Sequence, residues 1–388
     1  MTATPEVDTN PSYEGTATIL NPATGAVAGT VRWTDPADVT RIATGLRQAQ
    51  RSWEARGAAG RAKVLARYAV WLGEHRDEIE ALLIKETGKS AVDAAQEVPL
   101  LLMILSYYVR TMEKALAPEP RSASLPFLSI KKVTVHYRPR PVVGIIAPWN
   151  YPVANALMDA IGALAAGCAV LLKPSERTPL TAEVLMRGWI DSGAPEVLAL
   201  AQGARAVSEA VIDVSDYIQF TGSSATGAKV AERAARRLVP VSLELGGKSA
   251  AIVLDDADPA TVATGVRAAS LSNSGQICNA LTRILVPRTR ADAFTAALAA
   301  EMDALTVGDP TDPATQLGPL VARRQQERVT GYIEQGSADG ARLVTGGTGM
   351  PDGVDRGWYV RPTVFAGVTN DMRIAREEIF GPVLSVIA

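Results

Sequence analysis

The chain has two cysteines, and one of them, Cys278, closes the run SNSGQIC at 272–278. Asn, Ser and Gly accept the backbone angles of tight turns, so this run presents a thiol at a surface with peptide N–H groups beside it. The other, Cys168 in AAGCAVLLK, opens an apolar strand and reads as packed filler. A thiol becomes a nucleophile when a partner takes its proton. Only two histidines could serve: His75 in GEHRDEIE belongs to a charged helical face and His136 in VTVHYRP to a short alternating strand. Neither context carries a second catalytic signal, so the activator is sought among carboxylates, backbone amides or the ligand. Glu244 in VSLELGGKS is followed by two glycines that allow close packing and turn its carboxylate toward a cleft. Beside a thiolate its pKa would rise by repulsion and desolvation, which suits a general base. A plain strand-end glutamate paired with Lys248 is an equal reading.

Three further stretches crowd strand ends with special residues. In IIAPWNYPV, the amide of Asn150 can donate to an oxyanion while Trp149 and Tyr151 wall a pocket, although Asn-Pro turn chemistry explains much of the pattern. In AVLLKPSERTP, the strand ends at Lys173 and Pro174 breaks it, so Lys173 and Glu176 could both reach ribose hydroxyls. In DYIQFTGSSATGAKVAERAARRL, a strand, a turn of small residues and a helix aim N–H groups at an anion. Gly222 and Gly227 match the outer glycines of a G-x-G-x-x-G motif and Ser224 replaces the middle one, so the dinucleotide signature is half met.

These stretches need elements to hold them. Apolar residues at three- and four-residue steps predict helix from Asp38 to Lys89, with Gly88 as C-cap, and a second helix from Val92 to Leu116, apolar enough in PLLLMILSYYV to be core. Pro118, Pro120 and Pro126 end it, and Val133, Val135 and Tyr137 then alternate with polar residues as an exposed hairpin, for which a subunit contact and a plain solvated hairpin are equal readings. From Pro141 short apolar strands alternate with helices, the rhythm of a parallel sheet covered on both faces. A fresh set of such units starts after Gly246-Gly247. The fold class is therefore α/β. At 388 residues and 47% hydrophobic the chain is long enough for two domains. Thirty-nine basic against 41 acidic residues give a net charge of -2 with no basic block, which argues against a nucleic-acid partner. No signal-peptide pattern and no run of about 18 continuous apolar residues occurs, so no membrane is expected and the location reads as cytoplasmic. With two cysteines and two histidines no metal site is expected.

In their order, NPATG (21–25), PWNYP (148–152), KPSE (173–176), FTGS (220–223), ELGGK (244–248), GQIC (275–278) and EEIFGPV (377–383) resemble the aldehyde dehydrogenase superfamily nearly end to end. The resemblance implies Cys278 as nucleophile, Glu244 as general base and Asn150, helped by the Cys278 N–H, as oxyanion donor. It places Lys173 and Glu176 on the adenosine ribose, Ser223, with Gly222, near the pyrophosphate, Trp149 near the phosphates, Glu378 on the nicotinamide ribose and Phe380 against the nicotinamide. The implied reaction oxidises an aldehyde to an acid through a hemithioacetal and a thioester, with NAD favoured over NADP because Glu176 would repel a 2'-phosphate. Two other readings stand beside it: nucleotide binding without turnover, and acyl transfer to coenzyme A. The expected layout is a Rossmann-like NAD-binding domain (1–120 and 141–246), a β-hairpin oligomerisation element (121–140) and a second α/β catalytic domain with a parallel sheet (247–388). Members of the superfamily continue past EEIFGPV, so the last domain is expected to be C-terminally incomplete and the full-length protein a homodimer or homotetramer.

Overall fold

The structure, a computed structural model, describes residues 15–122 and 132–388. Pro126 and part of the 121–140 element lie outside them. Contacts divide the chain into one unit comprising the residues through Ala17, Val31–Ile79 and Glu97–Glu244, and a second comprising Thr18–Thr30, Glu80–Gln96 and Leu245–Ala388.

Strands β1 (Thr16–Leu20) and β2 (Val27–Arg32) form a two-stranded sheet around the NPATG turn. Asn21 closes that turn, its side chain accepting from the Ala23 N–H at 2.8 Å. The periodic run after Asp38 is three helices rather than one: α1 (Asp38–Ala55), α2 (Gly57–Glu74) and α3 (Arg76–Thr87). Gly57, at φ +66°, separates the first two because a left-handed residue cannot continue a helix. Within the first unit the ring of Trp189 stands edge-on to Trp53 and Tyr68, with centroids 6.3 and 5.4 Å away. The polar tips of Trp53 and Tyr68 donate to the carbonyls of Leu164 and Leu185, both at 2.9 Å, so this aromatic core leaves neither donor unpaired.

Helices α4 (Ala91–Ala94) and α5 (Glu97–Ala115) follow. The apolarity of PLLLMILSYYV predicts a helix buried on most sides, and α5 is buried on one. Leu101 and Leu105 are buried, but Met103 and Tyr107 are 62% and 58% exposed, so the helix packs on α2 by one stripe and leaves an apolar stripe outward. Length and composition alone also qualify Ala91–Ala115 to cross a membrane. Strands β3 (Glu119–Arg121) and β4 (Val133–Val135) pair antiparallel, with Val133, Val135 and Tyr137 exposed.

The strand-helix alternation continues through β5 (Val142–Ile146), α6 (Ala154–Ala166), β6 (Ala169–Lys173), α7 (Pro179–Asp191), β7 (Leu198–Leu200), α8 (Arg205–Val214), β8 (Tyr217–Gly222), α9 (Ser224–Ala235) and β9 (Val241–Leu245). Their sheet has the order β7-β6-β5-β8-β9. β5 pairs in parallel with β6 and β8, and β6 with β7. Every residue of β5 and β6 is buried, as expected for strands covered on both faces.

The second unit repeats the rhythm. It contains β10 (Ser249–Ile252), α10 (Pro259–Ser270), β11 (Leu281–Leu285), α11 (Ala291–Asp303), α12 (Arg323–Ala338), β12 (Arg342–Thr345), β13 (Thr363–Ala366), α13 (Arg373–Arg376) and β14 (Val383–Ile387). The start of α10 is set by Asp258, which accepts from the Thr261 N–H at 2.8 Å while Pro259 takes the first turn. The sheet order is β10-β11-β14-β13-β12, with β12 antiparallel to β13. Because side chains alternate along a strand, Val364, Leu384 and Val386 pack with Phe294 and Leu298 on one face. Phe365, Val383 and Ile387 pack with Val329 and Ile333 on the other.

Close packing sets one test of the first unit. A Cβ on Gly188 of α7 would lie 2.3 Å from the buried Trp71 ring, whereas one on Gly45, in the exposed middle of α1, would meet nothing within 4 Å. Gly188→Ala is expected to lower the urea-unfolding free energy by about 1–3 kcal/mol, and Gly45→Ala to raise it by about 0.5–1 kcal/mol.

Candidate active site

In the first unit the candidates converge on one edge of the sheet. Trp149 and Asn150 follow β5, Lys173 and Glu176 follow β6, Gly222 ends β8 with Ser223 after it, and Glu244 lies at the end of β9. All are carboxyl ends of strands. The order places β6 and β7 on one side of β5 and β8 and β9 on the other, so the reversal of winding falls between β5 and β8, where doubly wound sheets open a crevice for a dinucleotide.

Each side chain is fixed by local bonds. The buried Asn150 accepts a hydrogen bond at Oδ1 from Asn155 Nδ2 at 3.1 Å. That bond ties down the carbonyl end of its amide and turns the donor end the other way. The following helix is held by the buried carboxylate of Glu97, which accepts from the N–H groups of Val153 and Ala154 at 3.0 and 3.1 Å and sits at the positive end of the α6 dipole. Lys173 Nζ lies 3.2 Å from Glu176 Oε2. Burial pushes the Glu176 carboxyl up, but the charge of Lys173 and the hydrogen bonds around it hold it below the ordinary carboxylate value. Ser223 caps α9, its Oγ accepting from the Thr226 N–H at 3.3 Å. Gly222 is required by packing, since a Cβ there would stand 2.7 Å from the Phe220 ring.

The second unit carries Cys278, Glu378 and Phe380. Cys278 is exposed. It follows three consecutive left-handed residues, Asn273 (φ 51°), Ser274 (φ 56°) and Gly275 (φ 76°), of which the first two cost on the order of 1–3 kcal/mol each. Buried bonds hold the turn: Ser274 Oγ donates to the Gly318 carbonyl at 2.8 Å, and Gln276 donates to the Asn273 carbonyl at 2.9 Å and accepts from the Val321 N–H at 3.0 Å. A Cβ on Gly275 would lie 2.4 Å from the Gly381 carbonyl oxygen, so the cysteine loop rests directly on the backbone beside Phe380. Phe380 is itself left-handed at φ 63°, and Gln325 holds its carbonyl at 2.8 Å. The Glu378 carboxyl is raised by burial against the opposing pull of the Gly247 N–H, Arg328 and Lys248. Its Oε1 is buried without a hydrogen-bond partner, an acceptor suited to a hydroxyl donor such as a ribose. Burial and Arg283 push the Lys248 ammonium down to about 8, against Glu378.

Residues 9–388 match the profile of the Aldehyde dehydrogenase family. The chain belongs to that family. Geranial dehydrogenase of Castellaniella defragrans is 40% identical over 375 residues, 95% of this chain and 77% of that protein. A crystal structure of a Mycobacterium tuberculosis aldehyde dehydrogenase complexed with NAD+ superposes with a TM-score of 0.92 at 39% identity, covering 97% of this chain and 78% of that one. Aldehyde dehydrogenase C of Pseudomonas syringae, a mutant with a cysteine changed to alanine and complexed with NAD+ and octanal, gives a TM-score of 0.89 at 36% identity over 97% and 77% of the two chains. The family fold, α/β with parallel sheets and small antiparallel hairpins, is that described above, and NAD+ is the dinucleotide in both of those structures.

Sequence reasoning passed over Asp93, Glu97, Asp159 and Gln276. Asp93 had a local signal, since Ser90-x-x-Asp93 is a capping box. Glu97 and Gln276 had none, because their partners are remote or buried. Asp159, on α6, is pushed up to about 6 by burial, with Glu244 adding repulsion and a hydrogen bond from Gln219 opposing. The folded state keeps this proton up to about pH 6, whereas an unperturbed aspartate releases it near 3.8. Stability from the neutral form is thus full at low pH and is lost as pH rises through about 6. Asp159→Asn is expected to raise the unfolding free energy on the order of 1–3 kcal/mol at pH 8, with the gain vanishing near pH 4, as read from urea curves of both proteins at the two pH values.

Proposed function

We propose that this aldehyde dehydrogenase oxidises an apolar aldehyde to the carboxylic acid with NAD+ as hydride acceptor. The observation that carries the reading is the exposed Cys278 at the end of a left-handed turn held by buried side chains and packed on the backbone beside Phe380. Strain of this kind persists where a site needs it. The Asn150 amide, oriented through Asn155, supports the oxyanion role.

In this reading the Cys278 thiolate bonds to the aldehyde carbon, and the oxygen takes up the negative charge. Asn150 and the Cys278 N–H donate to that oxygen, each donor being worth about 3–4 kcal/mol in such sites. When bound, NAD+ supplies the acceptor for the hydride that leaves the carbon as the C=O re-forms. The acyl group then stays on sulfur as a thioester. Glu244 takes a proton from water, the hydroxide adds to the thioester carbonyl, and the acid leaves with the thiolate restored. Lys173 and Glu176 would hold the adenosine ribose, Trp149, Gly222 and Ser223 the phosphates, and Glu378 and Phe380 the nicotinamide end. The Glu176 carboxylate, kept ionised by Lys173, accepts from a 2'-hydroxyl and repels a 2'-phosphate, which favours NAD+ over NADP+. The exposed apolar stripe of α5 and Met158 on α6, together with relatives named for geranial and bound to octanal, support an apolar substrate.

The test is NADH formation from medium-chain and terpenoid aldehydes, with product analysis. Turnover should yield free acid, and Cys278→Ala should lower kcat/KM by roughly 10³-fold or more; retained turnover in that variant would remove the proposal. On cofactor choice, the ratio of kcat/KM for NAD+ to that for NADP+ should exceed roughly tenfold and fall toward unity in Glu176→Gln. A parent enzyme that prefers NADP+ would contradict the role given to Glu176.

A further inference from the structure

The buried carboxylate of Asp93 spans the base of the cysteine loop. It is 6% exposed. Its Oδ1 accepts from Ser272 Oγ at 2.7 Å, and its Oδ2 accepts from the Asn273 N–H at 2.9 Å and from Ser90 Oγ at 3.1 Å. Its own N–H donates to Ser90 Oγ at 3.3 Å as part of the start of α4. The carboxylate therefore ties the first turn of one short helix to the residue at which the chain enters the left-handed region.

The location of that bond matters. Asn273 is the first of the three left-handed residues, and an L-residue leaves that conformation unless its surroundings fix it. Ser274 and Gln276 anchor the later part of the turn. The N–H of Asn273 is anchored by Asp93. A charged acceptor forms stronger hydrogen bonds than a neutral one, and a buried N–H deprived of its acceptor drives a local rearrangement.

We propose that Asp93 is a positioning residue for Cys278: its carboxylate holds Ser272 and Asn273 so that the left-handed turn is preformed and the sulfur is aimed before substrate arrives. The proposal rests on the reading of Cys278 as the nucleophile. It assigns Asp93 no contact with substrate or cofactor.

The test compares the parent with Asp93→Ala, Asp93→Asn and Ser272→Ala. The last removes one donor and serves where Asp93→Ala does not fold. Hydrogen exchange of the peptide spanning 270–280 should accelerate at least about tenfold in Asp93→Ala, with the peptides of β11 and β14 unchanged. Per active site, kcat should fall roughly 10- to 100-fold, with KM for aldehyde and for NAD+ within about twofold. Asp93→Asn, which keeps one carbonyl acceptor for the Asn273 N–H, should recover at least half of the loss on a logarithmic scale, and Ser272→Ala should lose less than Asp93→Ala. Unchanged exchange at 270–280 would overturn the proposal, as would unchanged kcat per site in an active enzyme, or a loss accounted for entirely by the unfolded fraction. Should the parent give no aldehyde-dependent NADH, the functional reading fails by itself. The positioning claim is then judged by iodoacetamide alkylation of Cys278: a rate that changes at least about fivefold in Asp93→Ala supports it, and an unchanged rate overturns it.

Discussion

A thiol that must meet a carbonyl carbon at bonding distance has to be held by its backbone, because a cysteine side chain has a single rotatable bond before the sulfur. In the reaction proposed for Cys278 that requirement would be met by the left-handed run Asn273-Ser274-Gly275. Two of these residues carry Cβ atoms that disfavour the conformation, and the third cannot be replaced because the Gly381 peptide occupies the space. The turn exists because Asp93, Gly318 and Val321 supply its hydrogen-bond partners, and each of these positions depends in turn on the packing of the second unit. Phe380, also left-handed, shows the same bargain on the facing loop. Of the four non-glycine residues with positive φ among the described residues, these three lie in the segments that carry Cys278 and Phe380, and the fourth, Leu238, is a solvent-exposed turn.

The first unit solves a different problem, gathering polar groups from distant parts of the sequence and pairing the charged ones that it buries. Parallel strands do this by geometry, because every one of them ends on the same edge. Lys173 is almost fully buried yet stays paired with Glu176, and Glu97 satisfies the N–H groups at the start of α6. The carboxyl groups of Asp159 and Glu176 show that burial alone does not set ionisation. Both are desolvated, but Asp159 is raised while Glu176, beside an ammonium, is lowered.

Much of this was legible in the sequence where a signal is local. The strand-turn-helix alternation gave the parallel strands of the two sheets, though not the antiparallel edge strand β12, the Asp258-Pro259 pair marked a helix start, and the ordered motifs gave the family. What was not legible depended on contacts across long stretches of chain. Asp93 meets Ser272 and Asn273 across 179 and 180 positions, and no local pattern carries that pairing. Periodicity showed that α5 has an apolar surface but not that Met103 and Tyr107 face outward, because a pattern records polarity and not what covers it. Around the half-met glycine motif the structure accounts for two neighbours of Ser224: Gly222 is small to clear Phe220, and Ser223 caps α9 with its own side chain. The single helix expected from Asp38 to Lys89 broke at Gly57, a residue that a helix interior tolerates in sequence but not at φ +66°.

The claim on which the account rests is that the acyl group passes through Cys278 and is released by water that Glu244 activates. Mass spectrometry of a Glu244→Gln variant quenched during turnover with an apolar aldehyde and NAD+ tests this most directly. The account predicts that the peptide containing Cys278 gains the mass of the aldehyde less two hydrogen atoms, and that the adduct decays far more slowly than turnover of the parent. NADH formation with Cys278 unmodified throughout, or with the adduct on Cys168, would contradict it.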